Sequence, residues 1–425
     1  MKIELITIGD ELLDGRTRDL NIYWIGGRLR DLGVSVERVT MVDDDLDRLP
    51  QILREAAQRA DLVITSGGLG PTLDDCTRDA IAIAAGVELT EFPEATARLR
   101  AYFTSRNVEM APTNLRQTIF PAGATVYPSR FGTAEPFEVA IDGTPCISLP
   151  GVPFELQGLF EELVVPRLQR GGRPRVWRKL NVFGKGESAL AEKIEGLGLD
   201  ARIKITWMAK LTGVIIEFSV DAEHEALLEP AVARAEEAIA PFGFRSPTGT
   251  VAGAVAELLT DRGWRMATAE SCTGGLIAST LTDLPGSSAW FDRGYVTYSN
   301  DAKATDLGVR VETLAAHGAV SEPVALEMAR GARAIAQANV AVAVSGIAGP
   351  TGGTDEKPVG TVMIACVTET HEAVIHARFA RRTREDFKAL VTELALMLVL
   401  RTLQDQTEAL RAIYAVRSLN HQEAN

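Results

Sequence analysis

Serine, tyrosine and lysine side chains fall near the ends of expected helices and strands in one stretch, residues 267–303. Ser288 precedes Lys303 by fifteen residues, and Tyr298 lies between them. A serine hydroxyl attacks an acyl carbon when a base takes its proton, and lysine becomes such a base when burial or a nearby cation lowers its pKa. Serines also cap helices, and lysines are normally solvated. Taken alone, the spacing favours these structural roles.

Hydrophobic spacing predicts the elements that would position these side chains. Residues 265–269 are expected to form a short buried strand, and Thr273 is expected to cap a helix that begins with two glycines and ends near residue 284. A strand over 295–299 then leads into a helix that carries Lys303. A strand, a glycine turn and a helix N-terminus together present backbone N–H groups that can bind an anion.

Several sequence strings in the second half of the chain carry a resemblance to a known family. They are AESCTGG at 269–275, GSSAWFDRGYVTYSNDAK at 286–303, SGIAGPTGGT at 345–354 and PVGTV at 358–362. In this order they resemble the CinA C-terminal domain, and the resemblance covers roughly residues 249–401. That family removes ammonia from nicotinamide mononucleotide. The resemblance therefore implies an amidohydrolase in this part of the chain.

The resemblance also implies roles for individual residues. Ser288 would be the nucleophile, Lys303 its general base, and Tyr298 the hydroxyl that supports the lysine. In the family an arginine follows the last strand, and Arg384 takes that role here ahead of Arg382. The residues that the resemblance and the glycine-rich loops assign to substrate binding are Ser271, Thr273, Gly274, Gly275, Gly346, Ala348, Gly349, Thr351, Gly352 and Arg384.

The first part of the chain shows a second resemblance, over about residues 1–169. Alternating strands and helices there predict a parallel, doubly wound sheet, in which ligands bind at the carboxyl ends of the strands. GDELLDG at 9–15 and TSGGLGPTLDDCT at 65–77 fall at such ends. Together with LPGVPFEL at 149–156, these strings resemble the molybdopterin-binding fold as it occurs at the N-terminus of CinA-type proteins.

In CinA-type proteins this N-terminal domain is associated with metal-dependent hydrolysis of ADP-ribose at the pyrophosphate. A glycine-rich loop can cradle phosphate, and carboxylates can hold a divalent metal between phosphates. The residues are equally consistent with glycines that form a turn and aspartates that only cap the next helix. The expected nucleotide-binding residues are Asn21, Gly67, Gly68, Gly70, Thr72 and Thr77, and the expected metal ligands are Asp10, Glu11, Asp74 and Asp75.

One loop departs from the family pattern. The family has G-T-A-P-G-F after the FPxGA segment, whereas Glu135 and Pro136 follow Gly132-Thr133-Ala134 here. If this loop approaches the pyrophosphate, we expect the carboxylate of Glu135 to repel it.

Composition limits the classes of function. The net charge of -13 argues against general nucleic-acid binding, which needs a basic face. The four cysteines are scattered, the five histidines do not cluster, and no apolar run reaches the ~18 residues of a membrane span. We therefore expect a cytoplasmic protein without zinc, and an amidase that uses no cofactor.

The chain is long enough for several domains, and its expected fold class is α/β. The expected divisions are a doubly wound N-terminal domain (1–170), a small α+β linker module (171–247), an α/β amidohydrolase domain (248–405) and a frayed tail (406–425). The expected partners are nicotinamide mononucleotide, ADP-ribose and a second copy of the chain in a homodimer. The alternative is a competence or damage-response protein whose N-terminal domain binds a pterin or nucleotide without catalysis.

Overall fold

The computed structural model of the protein describes residues 1–168, 175–240, 242–412 and 414–420. Two compact units are present: one comprises 1–176 with the short segment 221–223, and the other comprises the rest of 177–425. Within the described ranges, no helix combines the length and apolar character that crossing a membrane requires.

A six-stranded sheet forms the centre of the N-terminal unit. Its strands, and two further short strands that pair with each other, are β1 (Ile3–Ile8), β2 (Val36–Val42), β3 (Leu62–Ser66), β4 (Leu89–Glu91), β5 (Ile119–Pro121), β6 (Thr125–Val126), β7 (Phe137–Ile141) and β8 (Thr144–Leu149). The order is β2-β1-β3-β8-β7-β6. The strands β2, β1, β3 and β8 are parallel to one another, β7 is antiparallel to β8, and β6 is antiparallel to β7. Every residue of β1 and β3 is buried, as expected for strands covered on both faces.

Helices cover both faces of this sheet. They are α1 (Asp10–Leu13), α2 (Leu20–Asp31), α3 (Leu49–Arg59), α4 (Thr77–Ala85), α5 (Pro93–Ser105), α6 (Pro153–Leu159) and α7 (Val165–Leu168), with a π-helical turn at Phe160–Val164 between the last two. Leu53 and Ile81 pack in one apolar cluster, whereas Leu29 and Leu156 pack in another. The predicted doubly wound α/β architecture is confirmed.

A smaller four-stranded sheet follows, with the order β10-β11-β9-β12. Its elements are β9 (Arg175–Phe183), α8 (Glu187–Glu195), β10 (Lys204–Lys210), β11 (Gly213–Asp221), α9 (Leu228–Ala238) and β12 (Gly243–Phe244). This is the α+β module expected from the sequence. Phe183 and Phe244 belong to the same apolar cluster as Val255 and Leu394 further along the chain, so the module shares a core with the C-terminal segment.

The C-terminal sheet has six strands in the order β14-β13-β15-β16-β17-β18. Its elements are α10 (Val251–Arg262), β13 (Met266–Glu270), α11 (Leu276–Thr282), β14 (Phe291–Val296), α12 (Asn300–Leu307), α13 (Val311–His317), α14 (Glu322–Ala336), β15 (Val340–Gly346), β16 (Thr361–Val367), β17 (His371–Arg378), α15 (Arg384–Leu403) and β18 (Ala415–Asn420). The strands β14, β13 and β15 are parallel; β13 and β15 are buried between α10 and α15 on one face and α14 on the other, whereas β14 at the edge of the sheet is partly exposed. Their carboxyl ends therefore meet at one edge of the sheet.

The expectation of a frayed tail after residue 405 is wrong for residues 415–420. These residues form β18, which pairs antiparallel with β17. A short segment with no strong apolar pattern can extend an open sheet edge, because the edge strand supplies unpaired backbone N–H and C=O groups. Residues 421–425 lie outside the described chain.

Candidate active site

Lys303 is a buried lysine, with 1% of its surface exposed. Its Nζ donates to Ser271 Oγ at 3.1 Å, to the carbonyl oxygen of Thr297 at 2.9 Å and to that of Tyr298 at 3.3 Å. Nowhere in the described chain does Lys303 form an ion pair with a carboxylate. An uncompensated ammonium group is costly in such surroundings, so burial lowers the pKa of Lys303. The amine can therefore lose its proton more readily than an exposed lysine.

Strand pairing brings these residues together. Ser271 directly follows β13, and Thr297 directly follows β14, its parallel neighbour. Ser299 then caps α12 by accepting a hydrogen bond from Ala302 N at 3.0 Å. The first turn of this helix returns the side chain of Lys303 across the strand ends toward Ser271.

Glu270 shapes the loop that carries Ser271. The buried carboxylate accepts hydrogen bonds from Gly275 N (2.9 Å), Ile277 N (3.0 Å) and Ala278 N (2.8 Å), and from the Thr273 hydroxyl (2.7 Å). It thus satisfies the free N–H groups at the start of α11. The sequence analysis did not identify this role, although a glutamate placed before a Thr-Gly-Gly turn is a usable signal for it.

The predicted capping role of Thr273 is wrong. α11 begins at Leu276, and its N-cap is Gly275, which has a φ of 95° that favours glycine. The Thr273 hydroxyl donates to Glu270 instead. The tight turn through Gly274 and Gly275 leaves no room for the earlier helix start that the sequence predicted.

Ser288 lies apart from this cluster. It is exposed in the short 3-10 turn Ser287–Ala289, which precedes β14, whereas Lys303 reaches the edge where β14 ends. The six residues of β14 span about 20 Å at the usual rise of a strand. Within the described chain, the predicted Ser288–Lys303 pair is therefore not formed, because the direction of β14 carries the two residues to opposite edges of the sheet.

Cys272 is the other nucleophilic side chain beside Ser271. Burial raises the pKa of its thiol to about 12, an effect that the nearby charge of Glu270 reinforces. The thiol is therefore protonated at neutral pH, and a protonated thiol is a poor nucleophile.

Tyr298 connects Lys303 to Arg384. Its carbonyl oxygen accepts from Lys303, and its hydroxyl oxygen accepts from Arg384 Nη2 at 2.8 Å. The hydroxyl does not support the lysine as predicted, because the ring is 61% exposed and turned toward the arginine. Arg384 Nη1 also donates to the carbonyl oxygen of Gly349 at 3.0 Å. Arg384, rather than Arg382, is the arginine that makes these contacts.

The second glycine-rich loop follows β15 and borders the same sheet edge. Gly349 and the adjacent Ala348 are buried, and Gly349 reaches the site through Arg384. Gly346 closes β15 and is half-buried, whereas Thr351 and Gly352 are exposed. The structure thus brings the first half of this loop to the site and leaves the second half in solvent.

In the N-terminal unit, a cleft of about 490 Å³ opens at the carboxyl ends of β1, β3 and β8. The residues of the predicted site that line it are Glu11, Asn21, Gly67, Gly68, Gly70, Asp74 and Asp75. Gly67 has a φ of 107°, and a Cβ at this position would lie 2.2 Å from the carbonyl oxygen of Ile8, so only glycine fits. Thr77 does not line the cleft. It stabilises the loop, since its hydroxyl donates to the carbonyl oxygen of Gly67 at 2.8 Å.

Asp75 is a loop-stabilising residue rather than a helix cap. Its carboxylate accepts from Gly70 N at 2.7 Å, from Thr72 N at 2.8 Å and from the Thr72 hydroxyl. Arg78, which the sequence analysis missed, is buried and donates to the carbonyl oxygen of Gly70 at 2.8 Å. These contacts fix the loop that borders the cleft.

The four predicted metal ligands do not fit a metal site as a set. Both oxygens of Asp75 are engaged by the loop, and no group of three or more His, Cys, Asp or Glu side chains among the described residues is spaced to hold a metal ion. Asp10 instead exchanges hydrogen bonds of 3.3 Å with Asp44. Burial, together with the charges of Asp10 and Glu11, raises the pKa of Asp44 to about 6.

The expected repulsion of pyrophosphate by Glu135 is wrong. Its carboxylate forms two hydrogen bonds with the guanidinium group of Arg98, at 2.6 and 2.8 Å. Glu135 is only 9% exposed and does not line the cleft. The loop departs from the family pattern, but the charge it introduces is neutralised by Arg98.

Comparison with known proteins identifies the family. The model of the CinA C-terminal domain matches residues 248–403, and that of the probable molybdopterin binding domain matches residues 4–170. A nicotinamide-nucleotide amidohydrolase from Shewanella oneidensis is 38% identical over 95% of this chain and 96% of its own length.

Two further relatives also match most of the chain. A putative competence-damage inducible protein from Symbiobacterium thermophilum is 45% identical over 86% of this chain and 88% of its own length. A CinA-like protein from a Geobacter species is 41% identical over 86% of this chain and 89% of its own length. Since these matches extend through both matched domains, the chain belongs to the CinA family.

Proposed function

We propose that the C-terminal site hydrolyses the carboxamide of nicotinamide mononucleotide to nicotinate mononucleotide and ammonia. The observation that carries the proposal is the 3.1 Å contact between Lys303 Nζ and Ser271 Oγ. A serine hydroxyl beside a buried lysine whose pKa is lowered is an arrangement for acyl chemistry. The name of the Shewanella oneidensis relative supports the choice of substrate.

The proposed reaction has two steps. The neutral amine of Lys303 takes the proton of Ser271 as the serine oxygen attacks the carboxamide carbon. The carbon–nitrogen bond then breaks, and the lysine returns its proton to the leaving nitrogen, which departs as ammonia. Water, deprotonated by the same lysine, cleaves the acyl ester, releases the acid and restores the serine hydroxyl.

The loop geometry limits which groups hold the oxyanion. Gly274 N already donates to the carbonyl oxygen of Ser271 at 3.2 Å, and Gly275 N donates to Glu270 at 2.9 Å. The oxyanion must therefore be held by other donors at this edge. Each such donor contributes about 3–4 kcal/mol where it has been measured in hydrolases.

The test is incubation of the full-length protein with nicotinamide mononucleotide, with and without a metal chelator. We expect ammonia and nicotinate mononucleotide in equal amounts under both conditions. Release of nicotinamide without ammonia would mean that the glycosidic bond is cut instead, and it would refute the proposal. A preparation of the Lys303→Arg variant serves as the control for contaminating amidases.

We also propose a second activity, binding and hydrolysis of ADP-ribose in the N-terminal cleft. The supporting observations are the glycine-lined cleft at the strand ends and the neutralisation of Glu135 by Arg98. The test is incubation with ADP-ribose, with and without a divalent cation, followed by separation of the phosphate-ester products. Binding without any product would instead support the non-catalytic alternative for this domain.

A further inference from the structure

A row of four aromatic rings connects the small α+β module to the start of α15. Phe183 is the last residue of β9, and its ring centroid lies 6.4 Å from that of Tyr414. Tyr414 lies 6.3 Å from Phe379, and Phe379 lies 6.3 Å from Phe387. The last two pairs pack edge to face, with interplanar angles of 69° and 77°. This aromatic row therefore runs from the module into the first turn of α15.

Backbone hydrogen bonds fix the two central rings of the aromatic row. Phe379 directly follows β17, and its N–H donates to the carbonyl oxygen of Gly360 at 2.9 Å. Tyr414 directly precedes β18, and its N–H donates to the carbonyl oxygen of the buried Leu410 at 2.9 Å. Because a packed interior has few voids, a ring in this row cannot shift without moving its neighbours.

The module also contacts the other end of α15. Arg401 is 3% exposed, and its Nη2 donates to the carbonyl oxygen of Gly243 at 2.9 Å. Gly243 begins β12 and pairs with Val182, the residue before the first ring of the aromatic row. Phe387 and Arg401 are fourteen positions apart, which is about 21 Å along a helix. The corner formed by β9 and β12 therefore holds α15 at two places along its length.

The first residue of α15 is Arg384, which contacts the candidate active site. Arg384 and Phe387 are three residues apart, so they are neighbours on the surface of the helix. The two hydrogen bonds that Arg384 donates connect the loop of Tyr298 to that of Gly349, as described above. The contact between the lysine amine and the serine hydroxyl is instead built by β13, β14 and α12. A displaced α15 would therefore loosen the loops and leave the reacting pair in place.

We propose that the α+β module positions the active-site loops through α15, and that Tyr414 is the positioning residue that joins the module to the helix. This inference rests on the proposed amidohydrolase function. The candidate catalytic side chains all lie outside the module, so its role is to hold the loops in order before substrate arrives. Loops that are already ordered lose less conformational freedom on binding, and the substrate is then bound more tightly.

The test is steady-state ammonia release from nicotinamide mononucleotide by full-length variants. Tyr414→Ala should raise KM about three- to tenfold and leave kcat within about twofold, because the reacting pair is intact. The pH profile of kcat/KM, which Lys303 governs, should keep its midpoint. Tyr414→Phe keeps the ring and should restore the wild-type KM. A purely structural role of the ring would instead lower kcat in proportion to the unfolded fraction at an unchanged KM, and that result would refute the proposal.

Leu190→Ala is the matched control for general destabilisation of the module. Leu190 is buried on α8, and its truncation removes core volume but no ring of the aromatic row. We expect this variant to have a lower melting temperature and the wild-type KM. If circular dichroism shows that Tyr414→Ala does not fold, Tyr414→Leu takes its place, since leucine keeps apolar volume at this position and removes the ring.

Phe183→Leu tests whether the effect originates in the module. It removes the ring at the module end of the aromatic row, so KM should rise as it does in Tyr414→Ala. The double variant should show no further rise, because residues that act through one contact are not additive. Factors in KM that multiply in the double variant would show that Tyr414 acts without the module.

Two further results would overturn the positioning role: a wild-type KM in Tyr414→Ala, or an equal rise of KM in Leu190→Ala. Failure of the amidohydrolase function itself has a different signature, which is no ammonia from the wild type. Hydrogen–deuterium exchange then tests the coupling without substrate. In Tyr414→Ala the amides of Phe379 and Phe387, which are hydrogen-bonded in the wild type, should exchange faster, whereas those of α14 should not change. Unchanged exchange at the start of α15 would refute the proposal.

Discussion

The amine of Lys303 donates to the hydroxyl oxygen of Ser271 across 32 residues of sequence. We therefore expect Ser271→Ala to lower kcat for ammonia release by at least about a thousandfold, because removal of a catalytic nucleophile costs this much or more. Ser288→Ala should retain kcat within about threefold. The measurement is steady-state ammonia release by both variants. An inactive Ser288→Ala with an active Ser271→Ala would reverse the assignment and restore the one suggested by the family resemblance.

Lys303 should give the reaction a characteristic pH dependence. Burial lowers its pKa, so kcat/KM should rise with pH and level off below the ordinary lysine value of about 10.4. Lys303→Arg keeps the positive charge but cannot supply a neutral base, so it should be nearly inactive. Initial rates between pH 6 and 10 would check both points. Activity of Lys303→Arg above a few per cent would remove the lysine from the proton-transfer step.

The lowered pKa of Lys303 also makes the free energy of unfolding depend on pH. The folded protein binds a proton at Lys303 less readily than the unfolded chain does, so this group opposes folding when the pH is low enough to protonate it. We expect Lys303→Met to reduce the fall in melting temperature between pH 9 and pH 6, relative to the wild type. Calorimetric melting at both values would measure the difference. An equal fall in both proteins would show that Lys303 titrates normally.

Glu270 should be required for the geometry of the site rather than for chemistry. Glu270→Gln keeps the size of the side chain but replaces one acceptor oxygen by an NH2 donor, so at least one of the three N–H groups loses its acceptor, and we expect a loss of about 1–3 kcal/mol in the free energy of unfolding. The variant should also lower kcat, because Ser271 is the next residue in the chain. Thr273→Val is the milder control, since it removes a single hydrogen bond to the same carboxylate. A Glu270→Gln protein with wild-type melting and kcat would contradict this role.

In the N-terminal unit, the ion pair of Arg98 and Glu135 gives a prediction opposite to the one from sequence alone. Replacing Glu135-Pro136 by the Pro-Gly of the family pattern should not strengthen ADP-ribose binding, because the carboxylate faces Arg98 and not the cleft. It should instead destabilise the unit by about 0.2–1 kcal/mol, because Arg98, whose side chain is 35% exposed, loses its ion-pair partner. Titration calorimetry and thermal melting would check the two expectations. Tighter binding with unchanged stability would show that Glu135 does act on the ligand.

The sequence predicted the elements better than the contacts between them. The buried strand expected over 265–269 is present as β13, one residue further along, and the helix expected to carry Lys303 is present as α12, because a short apolar run and a capping serine leave signals in the local sequence. The partner of Lys303 was not predictable in this way. It depends on the parallel pairing of β13 and β14, which joins residues far apart in sequence and leaves no local pattern.

Side chains that serve the backbone were also missed or misassigned. Asp75 has the residue type of a metal ligand, yet it holds Gly70 and Thr72, since unpaired N–H groups in a tight glycine loop need an acceptor nearby. Glu270 holds a helix start in the same way. Local sequence shows that a carboxylate is present at such loops, but only the folded loop shows where its oxygens point.

The pairing of β18 with β17 has a practical consequence for handling the protein. If residues 415–420 were removed by proteolysis or truncation, the outer side of β17 would be left with a row of unsatisfied amide and carbonyl groups. Such an exposed edge is a template for pairing with the same edge of another molecule. A shortened chain could then retain its active-site loops and still be lost to intermolecular β-sheet formation, so its apparent inactivity in an assay would reflect aggregation.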